Sequence, residues 1–278
     1  MLVNPACLFQ LCLGARFGYP AVLQHDYLVH AVHRSHAVRD YQRREYRVSR
    51  SSERHHRSHH VLRVAEHRKR VPFLLVHNKT SSYLSKLDLA NLKAGQYTVK
   101  QIMEAMLVPS GNDAAYALAY HIAKNELGEG YTVTEYIDYF MTELREYLIE
   151  EGYSKTNLYN DPSGASMQAD THLDDINHVA LKLLNYDFVR ECIGESSFSI
   201  QTPQGEFTWK NTNEFLDKNS PYYNTNVKGM KTGTMASSYS IVVLYEKDEK
   251  KYLITCLAAL SNEGRYKAVQ SAINTIIK

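Results

Sequence analysis

Two kinds of apolar spacing follow one another along this chain, and their order limits the folds that it can adopt. Between residues 98 and 186, apolar side chains recur three and four positions apart, which is typical of amphipathic helices. After Phe198 the pattern changes to short β-type runs, at residues 199–201, 206–210, 239–245 and 252–260, and residues 266–277 predict a closing helix. Helices followed by strands and a terminal helix predict an α+β domain, with an antiparallel sheet flanked by helices.

The predicted helices have identifiable ends. Thr98 and Gln101 form a capping box, apolar residues follow at helical spacing, and Pro109 ends the run. A second helix is predicted from Asp113, a third over residues 134–150 and a fourth over residues 171–186. Residues 87–96 are predicted to form a loop.

Residues 1–76 differ in composition from the rest of the chain. They hold 12 Arg, one Lys, five acidic residues and nine of the 13 His, whereas residues 77–278 hold 16 Lys, three Arg and 25 acidic residues. The whole-chain net charge of +2 hides this difference. Since a domain border does not usually exchange Arg for Lys so completely, we divide the chain into a segment of doubtful structure, 1–76, and a folded domain, 77–278.

Three interpretations of residues 1–76 compete. A basic arm could bind nucleic acid, but it has neither a recognisable binding fold nor regularly spaced aromatics. The run His55-His56-Arg57-Ser58-His59-His60 could bind a metal, but no second ligand group follows at a defined spacing. The third interpretation, which we favour, is a translation product of the wrong frame or start. We therefore predict no nucleic-acid partner.

Other sequence features exclude several classes of protein. Four cysteines, at positions 7, 12, 192 and 256, are too few and too scattered for a disulfide framework or a zinc cluster. No apolar run is long enough to span a bilayer, and residues 1–18 lack the basic start and clear cleavage site of a secretory signal. We predict no transmembrane segment, no metal and no cofactor.

Two short motifs could carry chemistry. Ser110-Gly111-Asn112 lies in the break between two predicted helices, and Lys231-Thr232-Gly233 lies just before the apolar strand 239–245. Each motif alone is weak evidence for a catalytic site, because such a triplet is more often part of an ordinary loop or the start of a strand. The order and the structural settings of the two motifs make the evidence from the pair much stronger, and together they fit the arrangement of penicillin-binding enzymes.

The residue types suit acyl transfer, which needs a nucleophile, a base and donors for the developing oxyanion. Ser110 could relay a proton to a leaving amine, and Asn112 could hold a substrate amide or a neighbouring lysine. Lys231 would offer a positive charge to a substrate carboxylate, while Gly233 would let the substrate backbone approach the strand. Thr232 and Thr234 would add hydroxyl and amide donors.

From about residue 88 onward, the chain resembles the serine D-alanyl-D-alanine carboxypeptidases, which are low-molecular-mass penicillin-binding proteins of peptidase family S11. The resemblance includes residues 92–95, 98–99, 107–115, 160–164, 211–213, 227–233 and 263–266. Glycine at position 111 is more similar to the carboxypeptidases than to the class A β-lactamases, which usually have Asp there.

The resemblance implies a β-lactamase/transpeptidase-like fold and cleavage of the terminal D-alanine from peptidoglycan stem peptides. It implies that Ser110 and Asn112 form the second catalytic motif and that Lys231, Thr232 and Gly233 form the third. By the same resemblance, the amide of Thr234 is half of the oxyanion hole and Arg265 helps to bind the peptide carboxylate. Stem peptides and β-lactams are the implied partners, and the cell envelope outside the cytoplasm is the implied location.

The first motif of that family, Ser-x-x-Lys, is absent from this sequence. It supplies the nucleophile and should precede Ser110 by roughly 60–70 residues. No lysine of the chain has a serine three positions before it, and Ser51-x-x-Arg54 is the nearest form. Arginine stays protonated and cannot act as a general base. We therefore leave the nucleophile unassigned and predict that the chain as written does not react.

Overall fold

The computed structural model describes residues 27–32, 41–46, 73–76 and 90–276, apart from 154, 167–168, 204 and 236. Within these ranges lie nine strands: β1 Tyr27–Val32, β2 Tyr41–Tyr46, β3 Phe73–Val76, β4 Gly95–Thr98, β5 Ser197–Thr202, β6 Gly205–Lys210, β7 Val227–Met235, β8 Ser238–Lys247 and β9 Lys250–Ala259. The same ranges contain six helices: α1 Val99–Leu107, α2 Asn112–Leu127, α3 Val133–Glu150, α4 Leu173–Leu183, α5 Asp187–Gly194 and α6 Asn262–Ile276.

Five strands form the central sheet, in the order β2-β1-β9-β8-β7. The pairs β1–β2, β7–β8 and β8–β9 are antiparallel, while β1 runs parallel to β9. β3–β4 and β5–β6 form separate two-stranded sheets. The predicted α+β fold with an antiparallel sheet and flanking helices is confirmed, and the β1–β9 pair adds one parallel contact.

The alternation of side chains along β8 creates two hydrophobic cores. Val242 and Leu244 face the larger core, which is formed with α1–α5 and the β5–β6 hairpin. Ile241 and Val243 face the smaller core, which includes buried residues of α6. Since successive strand residues point to opposite faces, a strand that is apolar at nearly every position is covered on both sides.

The sequence located most helices within a few residues. The capping box of α1 is present: Thr98 Oγ1 accepts from the Gln101 amide at 3.1 Å, and the Gln101 side chain accepts from the Thr98 amide at 2.9 Å. The predicted helix 171–186 is shorter, ending at Leu183, and the separate helix α5 was not foreseen. Strand β4 occupies the end of the predicted loop 87–96.

The predicted border near residue 76 stays a prediction. Of residues 1–76 the structure describes only β1, β2 and β3, and β1 pairs with β9 in a register running from Leu28–Tyr252 to Val32–Cys256. The histidine run 55–60, the Ser51-x-x-Arg54 sequence and residues 1–18 lie outside the described residues. In the part of the chain that is described, no helix is long and apolar enough to cross a membrane.

Candidate active site

The Ser110 loop joins α1 to α2 in an unusual backbone conformation. Ser110 has a φ of +64°, in the left-handed region that few residues other than glycine adopt. The next amide, that of Gly111, donates to the Ala105 carbonyl at 3.1 Å, so the loop folds back onto the last turns of α1. Asn112, which is 7% exposed, then begins α2. The loop therefore holds Ser110 and Asn112 in fixed positions between two packed helices.

Gly111 is required at its position for steric reasons. A Cβ atom there would lie 2.5 Å from the Ala105 carbonyl oxygen and 2.8 Å from the Ala90 Cβ. Asp113 also holds this region in place, since its carboxylate accepts hydrogen bonds from the amides of Ala90 at 2.8 Å and Leu92 at 3.0 Å. The glycine that the family resemblance singled out thus has a packing explanation in this chain.

Lys231 reaches the Ser110 loop from β7. Its Nζ donates to Ser110 Oγ at 2.7 Å and to the Thr232 carbonyl at 2.9 Å. The side chain is 1% exposed, which removes most of the competing water from around the ammonium group. The two triplets, far apart in the sequence, thus meet in the fold through Ser110 and Lys231.

The rest of the third motif is held by Arg265 of α6. Arg265 Nη1 donates to the Gly233 carbonyl at 3.3 Å, to Thr234 Oγ1 at 3.0 Å and to the Ser240 carbonyl at 3.3 Å. Its guanidinium carbon lies 5.1 Å from the ring centroid of Tyr266, a cation–π contact. Arg265 is 5% exposed and its Nε is buried with no hydrogen-bond partner. The arginine therefore joins β7 to β8 and brings a second positive charge close to Thr234.

Strand β7 is the last strand of the central sheet, and among the described residues no strand pairs with its outer side. A bulge interrupts its register with β8 between Val227 and Met230. There Gly229 has a φ of +117°, and a Cβ on it would lie 2.3 Å from the Ile193 carbonyl at the end of α5. The first half of β7 is thus covered by α5, and the Lys231–Thr234 half carries the polar side chains.

Sequence reasoning did not assign a role to Thr212, which contacts the third motif and the end of α1 just before the second motif. Thr212 Oγ1 accepts from Thr232 Oγ1 at 2.6 Å, and the Thr212 amide donates to the Val108 carbonyl at 3.2 Å. Tyr266 Oη donates to the Thr212 carbonyl at 3.2 Å. Burial raises the pKa of the Tyr266 hydroxyl, with Arg265 opposing, so the phenol stays protonated as this contact requires. The only earlier signal was the Asn-Thr-Asn triplet in the resemblance.

No cluster of three or more His, Cys, Asp or Glu side chains suited to a metal occurs in the described ranges. The side chains joined by these contacts are those of Ser110, Lys231, Thr232, Thr234 and Arg265, with Gly233 in the strand, while Asn112 lies two residues after Ser110 at the start of α2. They combine two positive charges with hydroxyl groups beside the edge of a sheet. This combination suits an anionic peptide end that lies along the strand.

The chain is similar to known proteins in sequence and in fold. The D-alanyl-D-alanine carboxypeptidase family, peptidase S11, matches residues 76–259. A D-alanyl-D-alanine carboxypeptidase of Streptomyces strain K15 is 27% identical over 199 residues, which cover 68% of this chain and 65% of that protein. The chain thus spans slightly less than two thirds of the length of this curated relative.

Solved structures share the fold. A point mutant of the Streptomyces K15 DD-transpeptidase superposes with a TM-score of 0.66 at 18% identity, covering 99% of this chain and 88% of that one. The crystal structure of the same Streptomyces enzyme superposes with a TM-score of 0.64 at 23% identity, covering 76% of this chain and 81% of that one. A putative penicillin-binding protein homologue from Mycobacterium tuberculosis gives 0.59 at 19% identity, covering 77% of each. With two thirds of its length matched by the family and this fold, the chain belongs to the D-alanyl-D-alanine carboxypeptidases of peptidase family S11.

Proposed function

We propose that this chain binds the acyl-D-alanyl-D-alanine end of a peptidoglycan stem peptide, and that as written it does not form an acyl-enzyme with it. The observation that carries the proposal is the 2.7 Å contact between Lys231 Nζ and Ser110 Oγ at the edge of the sheet. Two motifs that are far apart in the sequence meet there, in the arrangement that the family uses for this substrate.

The third motif supplies the binding groups. Lys231 and Arg265 provide the positive charges for the terminal carboxylate of the peptide, and Thr232 provides a hydroxyl beside them. Gly233 allows the peptide backbone to lie against β7. The amide of Thr234 is half of the oxyanion hole that would stabilise a tetrahedral intermediate.

The second motif supplies the groups on the opposite side of the substrate. The contact between Lys231 Nζ and Ser110 Oγ supports a role for Ser110 in relaying a proton to a leaving D-alanine. Asn112, fixed at the first position of α2, would hold the substrate amide or a neighbouring lysine. Ser110 and Asn112 can contribute to peptide cleavage in these roles only if another residue of the site supplies the nucleophile.

The reaction of the family is hydrolysis of the terminal D-alanine through a serine ester, outside the cytoplasmic membrane, and β-lactams acylate the same serine. This chain has no Ser-x-x-Lys sequence. Without that nucleophile only binding and oxyanion contributions remain, which means a rate lower by several orders of magnitude. We therefore place this chain among the carboxypeptidases by family, with an incomplete reaction centre.

A second candidate is a non-catalytic domain whose own function is to bind cell-wall peptide, as opposed to a carboxypeptidase that lacks its nucleophile. It rests on the same buried Lys231, Thr232 and Arg265, which are assembled in the described residues without the nucleophile segment. The two candidates differ in whether the ancestral reaction returns when a Ser-x-x-Lys sequence is restored.

A fluorescent penicillin and a peptide ligand separate these possibilities. Incubation with the penicillin, followed by denaturing electrophoresis and intact-mass measurement, should show no adduct. Titration calorimetry with diacetyl-L-Lys-D-Ala-D-Ala should show binding, and diacetyl-L-Lys-L-Ala-L-Ala serves as the matched control peptide.

The outcomes are distinct. Selective binding of the D-Ala-D-Ala peptide without an adduct supports the proposal, and no binding of either peptide overturns it. A stoichiometric penicillin adduct contradicts the part of the proposal that excludes an acyl-enzyme. Peptide mapping would then identify the nucleophile, with Ser110 and its Lys231 partner as the first residues to check. Penicillin labelling of a frame-corrected chain with an upstream Ser-x-x-Lys favours the carboxypeptidase over the binding domain.

A further inference from the structure

Residues 211–213 carry the chain from one hydrophobic core to the other. Trp209, at the end of β6, is buried in the larger core, and Phe215 is fully buried in the smaller core. Thr212 lies at the middle of this crossing. Its position is therefore linked to the helical part that carries Ser110 and to the sheet that carries Lys231.

Thr212 makes one hydrogen bond to each part of the site. Its amide donates to the Val108 carbonyl, two residues before Ser110, at 3.2 Å. Its hydroxyl accepts from Thr232, the residue after Lys231, at 2.6 Å. Its carbonyl accepts from Tyr266 Oη, beside Arg265 on α6, at 3.2 Å. All three polar groups of this threonine are thus used to connect separate elements.

Both neighbours of Thr212 hold the segment in place. Asn211 Nδ2 donates to the Glu195 carbonyl after α5, at 2.9 Å. Asn211 Oδ1 accepts from the Asn213 amide at 2.9 Å, and Asn213 Oδ1 accepts from the Phe215 amide at 3.1 Å. Asn213 is fully buried. Because this segment is held in place, its hydrogen bonds can fix the position of the Ser110 loop relative to β7.

We infer that Thr212 is a positioning residue, which holds the Ser110 loop against β7 and thereby sets the Ser110–Lys231 contact. A functional site needs its groups within about 0.5 Å of their working positions. The Ser110 loop lies in the helical part and β7 in the central sheet, and Thr212 bonds to the Val108 carbonyl on one side and to the Thr232 hydroxyl on the other. The inference rests on the proposed function only for its ligand-binding measurement.

The test compares Thr212→Val, which keeps the shape and the amide but lacks the hydroxyl, with Thr212→Ser, which keeps the hydroxyl. Amide hydrogen exchange by NMR, without ligand, measures the Gly111 amide of the loop and the amide of residue 212. The valine variant should exchange at both positions about threefold to tenfold faster, the factor expected for one lost hydrogen bond. Its affinity for diacetyl-L-Lys-D-Ala-D-Ala should fall by a similar factor, and the serine variant should restore both values.

Thr208→Val is the matched control. Thr208 Oγ1 forms a hydroxyl pair with Ser199 Oγ at 2.9 Å on the exposed face of the β5–β6 hairpin. This variant loses a similar bond only four residues away, and it should leave the Gly111 amide unchanged.

Three results decide the inference. Faster exchange confined to the site in Thr212→Val, absent in Thr212→Ser and Thr208→Val, supports it. Unchanged exchange at Gly111 and residue 212, or faster exchange spread evenly over both cores, overturns it. If the site amides respond but the wild-type chain does not bind the peptide, the positioning role holds and the proposed function fails.

Discussion

Lys231 Nζ lies 2.7 Å from Ser110 Oγ, although the two residues are 121 positions apart in the chain. Ser110 is held by the packing of α1, α2 and Gly111, whereas Lys231 is held by the central sheet. The ammonium group is almost completely buried and also donates to the Thr232 carbonyl. A buried charge costs free energy unless it is hydrogen-bonded, so the contacts with Ser110 and Thr232 offset part of the cost of burying this ammonium group.

Replacing Lys231 with Met should separate binding from stability. Met has a similar length without the charge. It removes the cost of burying an ammonium group, which opposes the cost of leaving Ser110 Oγ and the Thr232 carbonyl without this donor. Because these two costs oppose each other, we expect the free energy of unfolding in urea to change by less than about 1–2 kcal/mol. Affinity for diacetyl-L-Lys-D-Ala-D-Ala, measured by calorimetry, should fall at least about tenfold, or roughly 1.4 kcal/mol.

Lys228→Met provides the control for this experiment. Lys228 lies three residues earlier, is exposed, and donates to the Thr225 carbonyl at 2.8 Å rather than to the site. The Lys228→Met variant should bind the peptide with the same affinity as the wild type. Equal losses of affinity in the two variants would indicate a general electrostatic effect and would contradict a specific role for Lys231.

Gly111→Ala should destabilise the fold at the Ser110 loop. The added methyl group would overlap the Ala105 carbonyl oxygen and Ala90, and overpacking of this kind typically costs about 1–3 kcal/mol. Urea unfolding measures the loss. Gly194→Ala is the comparison, because its new Cβ would meet only the Lys228 carbonyl, at 3.3 Å, and it should stay within about 1 kcal/mol of the wild type. A Gly111→Ala chain as stable as Gly194→Ala would show that the loop can shift freely.

Glu104 of α1 should make stability depend on pH. Burial raises the pKa of its carboxyl from 4.5 to about 7, with Lys100 opposing the rise and Glu191 adding to it. The folded chain therefore holds the proton more tightly than the unfolded chain between these values, and stability falls as the pH rises through this window. Between pH 5 and pH 8 the free energy of unfolding in urea should fall by about 1–3 kcal/mol more for the wild type than for Glu104→Gln. Equal losses in both chains would contradict the prediction.

Limited proteolysis tests the proposed division of the chain. The Arg-rich composition of residues 1–76 and their lack of sustained apolar periodicity predict cleavage in this segment. Trypsin should leave a resistant fragment that begins near residue 77, identified by intact mass. A full-length chain that resists cleavage would contradict the division and would favour a packed segment, of which β1 beside β9 is a part.

Features encoded over a few residues could be predicted from the sequence. The α1 capping box uses Thr98 and Gln101, three positions apart, and the observed contacts match it. The helices α2 and α3 and the strands β8 and β9 follow the apolar spacing because burial on one or two faces imposes that spacing directly. The two motifs of the site were visible for a different reason, since their residue types match a known chemistry.

Features that depend on contacts between distant residues were missed. β7 has no alternating apolar pattern, because Gly229 forms a bulge against α5 and Lys231 and Thr232 face the site. The short helix α5 has only eight residues, too few for a clear periodic signal. Thr212 looks like an ordinary loop residue until its three partners are placed around it.

By itself, the sequence determined the α+β class, the ends of several helices, the two motifs and the absence of Ser-x-x-Lys. Each of these is a matter of local spacing or of residue identity. Only the tertiary structure decided that Lys231 is buried against Ser110, that Arg265 joins β7 to β8, and that Thr212 connects the two cores. Such contacts depend on how helices and sheet pack around shared cores, and packing is a property of the whole fold that no short stretch of sequence contains.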